Sequence, residues 1–173
     1  MFNKHERALQ IYDALRTARL NVLYYEESLK NWTFAIRGHD IVVALTGVSS
    51  PIAFLKHSSN PVYEQAWFYL TVAAGIAGVL KPILRWDTKV ALFAELLNHY
   101  CELQLELKSL TEDISAERDV TPKINTKFEA CRKTVADLQR KEPPPSRKKI
   151  KRLMLVVENE YDMSKVWLPA EEE

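Results

Sequence analysis

Apolar residues are concentrated in two neighbouring segments of a chain that is otherwise rich in charge. The segments are residues 41–55 and 66–84, and a short break at residues 56–65 separates them. A helix needs about 20 apolar residues to cross a bilayer, and the second segment has that length. The first reaches it only by extending back past Asp40 and Arg37, and so short a run is also typical of a buried core helix. The pattern predicts a transmembrane helical hairpin, with spans at about residues 36–55 and 66–84.

Positive charge near the ends of the predicted spans indicates their orientation, because lysine and arginine are enriched on the cytoplasmic side. The residues that flank the hairpin toward the two termini include Lys30, Arg37, Lys81, Arg85 and Lys89, whereas the connecting loop contains only Lys56. The sequence therefore predicts a multi-pass membrane protein with both termini cytoplasmic.

Three further stretches repeat their apolar residues in alternating steps of three and four, which is typical of helices that pack along a seam. The first contains Ile11, Leu15, Ala18, Val22, Tyr25, Leu29 and Trp32. The second contains Phe93, Leu96, Tyr100, Leu103, Leu107, Leu110 and Ile114, and the third Ile124, Phe128, Cys131, Val135 and Leu138. We expect an all-α fold with a cytoplasmic helical bundle or coiled coil. The stripes could pack within one subunit or between subunits, and the second is the predicted seam of a homo-oligomer.

Helix-breaking residues divide the chain into four predicted regions. These are an N-terminal cytoplasmic helix at residues 1–31, the hairpin at residues 32–85, a helical hairpin at residues 86–142, and a linker and tail at residues 143–173. Thr121 and Pro122 predict the N-cap and first turn of a helix. The run from Pro143 to Pro145 predicts a stiff extended linker.

The tail after the linker opens with a basic cluster, whose partner the sequence leaves open. The cluster could bind anionic lipid headgroups or RNA, or it could be the solvated flank of a short helix or strand. Leu153, Leu155 and Val157 alternate as in a strand, yet they also fit one turn of a buried helix.

Composition and motifs argue against catalysis. Lys and Arg number 24 and Asp and Glu number 23, so no overall charge favours nucleic acid. The chain contains no glycine-rich phosphate loop, no H-E-x-x-H, no C-x-x-C and no nucleophile elbow, and its four histidines are scattered. We therefore expect no enzyme, no cofactor, no metal site and no specific nucleic-acid binding.

One polar stripe lies along the first predicted span. It consists of His39, Thr46, Ser50 and His57, spaced seven, four and seven residues apart. Polar groups are costly toward lipid, so they face protein or water. The stripe could hydrogen-bond between the two helices of the hairpin, or it could line a water-filled pore formed by several subunits.

The order of these parts resembles the SLATT families, which are two-transmembrane effector domains associated with bacterial nucleotide-signal and conflict systems. The resemblance covers about residues 5–142, and its local content is Arg16-Thr17-Ala18-Arg19-Leu20 together with residues 89–110. It implies an oligomeric effector in the bacterial inner membrane that forms a pore or disrupts the bilayer in antiviral defence. It also implies a sensor protein or a nucleotide signal as the activating partner.

Two other functions fit the same pattern. In the first, the hairpin is a non-conducting anchor and the helical bundle is a scaffold that recruits a partner. In the second, the chain is a soluble helical bundle with an unusually apolar hairpin.

Overall fold

The computed structural model describes residues 3–48, 65, 68, 69, 72, 73, 75, 76, 85–162 and 166–169. Within these residues the bounded elements are α1 (Lys4–Val48), α2 (Trp86–Glu117), α3 (Pro122–Lys141) and α4 (Arg147–Glu160). No strand occurs among the residues just named. The expected all-α class is confirmed.

The described residues fall into two compact units. One lies within Met1–Glu27 and Phe93–Glu173 and is called the bundle unit below. The other lies within Ser28–Leu92. The bundle unit contains the three heptad stripes almost entirely, and it contains the surfaces that bear on function.

The heptad stripes form the core of the bundle unit. Their buried members are Ile11, Leu15, Ala18, Val22 and Tyr25 on α1, Leu96, Tyr100, Leu103, Leu107, Leu110 and Ile114 on α2, and Ile124, Phe128, Cys131 and Leu138 on α3. Fully burying one large aliphatic side chain contributes about 1.5–3 kcal/mol, so this core is the main source of stability. The three stripes pack together within one chain.

Polar contacts along the core fix the directions of α1 and α2. The Tyr12 hydroxyl lies 3.4 Å from Oγ of Ser115, near the start of α1 and the end of α2. Further along, the rings of Tyr25 and Tyr100 stack with their centroids 5.8 Å apart. Residues later in α1 therefore contact residues earlier in α2, so the two helices are antiparallel.

α2 and α3 form the antiparallel hairpin that the sequence predicts. Lys127 Nζ lies 3.6 Å from Oδ2 of Asp113, close to the turn, and Lys141 Nζ lies 2.9 Å from Oε1 of Glu95, at the open end. The hydrogen bond to Lys141 lowers the pKa of the Glu95 carboxyl. Arg118 follows the last residue of α2 with φ of 47°, the left-handed conformation that ends many helices.

The predicted start of α3 is confirmed. Thr121 is the N-cap, and its hydroxyl accepts a hydrogen bond of 3.5 Å from the Ile124 amide. Pro122 occupies the first turn, where the missing N–H costs nothing because that donor has no partner inside the helix.

α4 resolves the ambiguity of the basic tail, since the chain there is a helix and not a strand. Leu153 and Val157 are buried, whereas Leu155 is 62% exposed. Burial therefore follows a four-residue period and not the alternation of a strand. Arg152 pairs with Glu27 of α1.

A second ion pair, between Arg16 of α1 and Glu158 of α4, fixes the direction of α4. Arg16 Nη2 lies 3.9 Å from Oε1 of Glu158. Together with the pairing of Glu27 to Arg152, it shows that α4 is antiparallel to α1. Beyond α4, Nδ1 of His5 lies 2.7 Å from the carbonyl oxygen of Pro169, which holds the tail against the start of α1.

The unit within Ser28–Leu92 has its own aromatic contacts. The rings of Trp32 and Trp86 meet edge to face with centroids 6.2 Å apart, and Lys89 Nζ lies 5.0 Å from the centroid of the Trp32 ring. Such cation–π contacts contribute about 0.5–1 kcal/mol at exposed sites.

The predicted transmembrane hairpin is wrong. Across the described part of the chain, every helix is too short or too polar to cross a bilayer. The described part of the first predicted span belongs to α1, a helix of 45 residues that begins at Lys4. Arg37 and Asp40 lie within that part, so this stretch of α1 is too polar to cross a bilayer. Most of the second span, residues 66–84, lies outside the described residues.

This correction extends to the predictions that depended on spanning helices. The two-span transmembrane fold is contradicted, and so are the membrane, pore-forming and ion-transport interpretations. The predicted location in a bacterial inner membrane, with both termini cytoplasmic, is contradicted by the same finding.

Candidate protein-binding groove

The four predicted pore-lining residues do not form a described site. His39 lies on α1, where its ring meets Trp86 edge to face at 5.2 Å and its Nδ1 lies 3.3 Å from Oδ1 of Asp40. The side chain of Thr46 lies outside the described residues, as do Ser50 and His57. The assignment of these four residues as pore-lining is therefore not tested directly, but the spanning helix on which it depended is contradicted.

The predicted oligomer seam lies inside the chain. Leu96, Leu107 and Ile114 are fully buried, and the other members of the second stripe are buried or, at Phe93, half-buried. Their neighbours are residues of the same chain, such as Tyr25, whose ring lies 5.9 Å from that of Phe93. Association of subunits through this stripe stays a prediction.

An open groove of about 450 Å³ lies between α1 and α3 and is called the α1/α3 groove below. The α1 side consists of Gln10, Asp13, Ala14, Thr17, Ala18 and Asn21. The α3 side consists of Phe128, Arg132, Val135, Ala136 and Gln139. Tyr100 and Leu103 of α2 form the floor.

The α1/α3 groove has an apolar bottom and polar edges. Leu103 and Phe128 are each 2% exposed and form a closely packed base. Asp13 stands exposed on the α1 edge and Arg132 on the α3 edge, so the two edges carry opposite charges. This combination is typical of a site that buries apolar groups of a ligand and orients it by charge.

Small side chains make room for the groove. Ala14 and Ala18 on α1 and Ala136 on α3 project only a methyl group, so a ligand backbone can approach both helices closely. Near the start of both helices the two sides are joined, because Arg7 Nη1 lies 2.8 Å from Oε1 of Glu129. On α1 the groove begins about one turn beyond that ion pair, at Gln10.

A buried tyrosine cluster closes the other end of the groove. The Tyr100 hydroxyl donates a hydrogen bond to Glu142, the C-cap of α3, and Asn21 also hydrogen-bonds to Tyr100. Burial, followed by the Glu142 carboxylate, raises the pKa of Tyr25 and of Tyr100 well above the ordinary value of tyrosine. Both phenols are therefore neutral at physiological pH and act as hydrogen-bond donors, not as bases.

A second cavity, of about 370 Å³, lies between α2 and α3 and includes Cys131 and Glu106. Burial, followed by the hydrogen bond of the thiol to Glu106, raises the pKa of Cys131 to about 11. The thiolate is the reactive form, so this cysteine is suited to packing and not to nucleophilic chemistry. Among the residues that the structure describes, no three histidine, cysteine, aspartate or glutamate side chains are placed to hold a metal ion.

We expect Cys131 to react at least about 100-fold more slowly than an ordinary thiol at pH 8, because at a pKa of about 11 few molecules carry the thiolate. The measurement is the rate of modification by an aromatic disulfide in a Cys101→Ser variant, folded and in denaturant. The Cys131→Ser variant, which retains the half-buried Cys101, is the matched control. Equal rates for Cys131 in the folded and unfolded chain would contradict the described burial.

Comparisons of the chain with protein-family models, with curated proteins and with solved structures give no significant match. The resemblance to the SLATT families therefore stays a prediction.

Residue patterns in the sequence do not single out the α1/α3 groove, although part of its signal is present. Ala14 and Thr17 lie beside the first heptad stripe, Val135 belongs to the third stripe, and Ala136 lies beside it. Small residues beside a seam are compatible with close helix packing as well as with a groove. Only the placement of α1 and α3 side by side shows that a groove forms.

Proposed function

We propose that the chain is a helical scaffold that binds an amphipathic helix of a partner protein in the α1/α3 groove. This retains the recruiting role of the scaffold interpretation without its membrane anchor. The observation that carries the proposal is the open groove itself, with its buried apolar floor and oppositely charged edges.

The length of the groove suits a helix. Its α1 side extends from Gln10 to Asn21, which corresponds to about 17 Å at 1.5 Å per residue, or three helical turns. A helix laid in a groove of this length inserts apolar side chains at positions i, i+3 or i+4, and i+7. With α1, α2 and α3 already in place, the added helix would complete a four-helix arrangement around Leu103 and Phe128.

The edges define the charge of the partner helix. A lysine or arginine on one flank would face Asp13, and a glutamate or aspartate on the other flank would face Arg132. Surface ion pairs contribute at most about 1 kcal/mol each, so they select the orientation and the apolar anchors supply most of the affinity.

A selection from displayed helical peptides tests this proposal. The library fixes apolar residues at positions i, i+3 and i+7 and randomises the flanks, and binders are selected on the wild-type chain. Enrichment of opposite charges on the two flanks is expected. Asp13→Lys is expected to reverse the charge that is enriched on the flank facing α1.

A variant that fills the groove provides the decisive comparison. Ala136→Trp places a large ring in the α1/α3 groove and is expected to weaken the selected peptides by about 10-fold or more, as judged by titration. Lys133→Trp, on an exposed position of α3 outside the groove, is the matched control and should leave binding unchanged. Peptides that bind both variants equally well would contradict the proposal.

A further inference from the structure

α4 presents an outer surface that combines positive charge with apolar side chains. Lys148 and Lys151 are exposed, and Leu155 and Met154 next to them are 62% and 48% exposed. The opposite side of the helix is occupied, because Leu153 and Val157 are buried in the bundle unit. Met154 borders a small cavity with Arg16 and Leu20 of α1, so Lys148, Lys151 and Leu155 alone are called the basic face of α4 below.

α2 presents an outer surface of the opposite charge. Leu105 is 68% exposed, which is unusual beside the buried Leu103 and Leu107 on the same helix. Glu102, with a side chain 76% exposed, and Glu112, with one 68% exposed, lie on the same side of α2, and the exposed Ser109 lies between them. Within α2, Glu102 lies 3.7 Å from His99 and Glu112 lies 4.0 Å from Lys108, and both glutamates stay exposed to solvent. Glu102, Leu105, Ser109 and Glu112 are called the acidic face of α2 below.

The two faces are complementary, but they cannot meet within one chain. Ion pairs from Arg16 and Glu27 of α1 hold α4 in place, so its basic face stays turned away from the bundle unit. At the C-cap of α4, the Gln104 amide of α2 donates a hydrogen bond of 3.5 Å to the Tyr161 hydroxyl. Each face is therefore available to another molecule.

We propose that the basic face of α4 binds the acidic face of α2 in a second copy of this chain. If the contact is made twice, once in each direction, the result is a closed dimer with two-fold symmetry. Leu155 then covers Leu105 of the other copy, and the lysines of one copy face the glutamates of the other. This dimer does not depend on the α1/α3 groove, and it uses exposed residues in place of the buried second stripe.

The dimer is expected to weaken as salt is added, because exposed charges are screened over about 8–10 Å at physiological ionic strength. Charge complementarity between the faces mainly selects the partner and its register. The contact of Leu155 with Leu105 of the other copy occurs twice in the dimer and removes apolar surface from water. It supplies the part of the affinity that does not depend on salt.

Charge reversal on each face gives the test, with sedimentation equilibrium of the full chain at low and high salt as the measurement. Lys148→Glu with Lys151→Glu makes both faces negative, and Glu102→Lys with Glu112→Lys makes both faces positive. Each variant alone is expected to weaken the dimer by about 10-fold or more. Lys133→Glu, at an exposed position of α3, changes the same type of charge outside both faces and should have no effect.

Mixing the two reversed variants distinguishes this interface from any other. In the mixed dimer every basic face again meets an acidic face, so association is expected to return to the wild-type strength. One chain that carries all four substitutions should also regain its dimer. A wild-type chain that stays monomeric, reversals without effect, or a mixture that fails to associate would each overturn the proposal.

Discussion

Replacing Leu103 and Leu107 together with aspartate is expected to unfold the bundle unit. The two leucines are 2% and 0% exposed, so both carboxylates would be buried among apolar side chains. An unpaired buried charge costs several kcal/mol, and a domain of this size is stable by only about 5–15 kcal/mol in total. Far-UV circular dichroism and urea unfolding should show loss of the cooperative transition.

The matched control is Leu105→Asp, on the same helix between the two core positions. Leu105 is 68% exposed, so the new charge stays in water. At concentrations where the chain is monomeric, this variant should keep its helicity and its unfolding transition within about 1 kcal/mol of the wild type. A folded Leu103→Asp and Leu107→Asp variant that has lost only its self-association would show that these residues form a seam between subunits after all.

Raising the pH above about 10 is expected to destabilise the folded chain through Tyr25 and Tyr100. The pKa of each phenol is raised in the folded state, mainly by burial, so the folded chain holds two protons that the unfolded chain releases. Their contribution to stability is complete below pH 10 and is lost as the pH rises further. Above pH 10, each tyrosine lowers the free energy of unfolding by about 1.4 kcal/mol per pH unit. For the two tyrosines together, the loss by pH 11 is about 2.7 kcal/mol.

The comparison that isolates this effect is made in a Cys131→Ala background, because the raised pKa of that thiol lowers stability from about pH 9 in the same direction. In that background, Tyr25→Phe with Tyr100→Phe should give a flatter decline of the free energy of unfolding above pH 10. Tyr161→Phe, at the end of α4 and outside the cluster, should keep the steep decline. Urea unfolding from pH 8 to 11 measures the free energy, and absorbance near 295 nm follows phenol ionisation.

Near neutral pH, Tyr25→Phe with Tyr100→Phe is expected to lower the free energy of unfolding, although above pH 10 it makes the decline of that free energy less steep. Removing the Tyr100 hydroxyl leaves Glu142 without this hydrogen bond, which costs about 1–3 kcal/mol. The wild type is therefore more stable than the double phenylalanine variant at pH 8, and the difference shrinks above pH 10. Parallel pH curves for the two proteins would mean that the phenols ionise equally in the folded and unfolded chain.

Hydrophobic spacing in the sequence predicts the bundle correctly. The steps of three and four from Leu96 to Ile114 identify nearly every buried residue of α2, because core positions of a helix recur with its turn. Thr121 and Pro122 predict the start of α3 for a local reason, since capping depends on residues next to one another. These features need no information from distant parts of the chain.

The transmembrane hairpin predicted from the apolar segments at residues 41–55 and 66–84 is contradicted by the helices in the described part of the chain. Mean hydropathy over a short run does not distinguish a spanning helix from other apolar helices, and the described part of the first run continues a charged helix that starts at Lys4. The sequence also left the partner of each heptad stripe open. The choice of packing within one chain depends on contacts such as the stacking of Tyr25 on Tyr100, which are 75 positions apart in the numbering.

The sequence by itself determined that the chain is helical, where α3 begins and which residues of α1, α2 and α3 form the core. Tertiary structure alone decided the conformation and the exposed side of α4. Leu153, Leu155 and Val157 suit a strand or a helix locally, and ion pairs such as Arg152 with Glu27 dock a helix that buries the first and the last of them. Leu155 is left exposed on the basic face because burial is set by the neighbouring helix and not by hydrophobicity. The α1/α3 groove arises in the same way, since Ala14 and Ala136 border an opening only when two helices distant in sequence lie side by side.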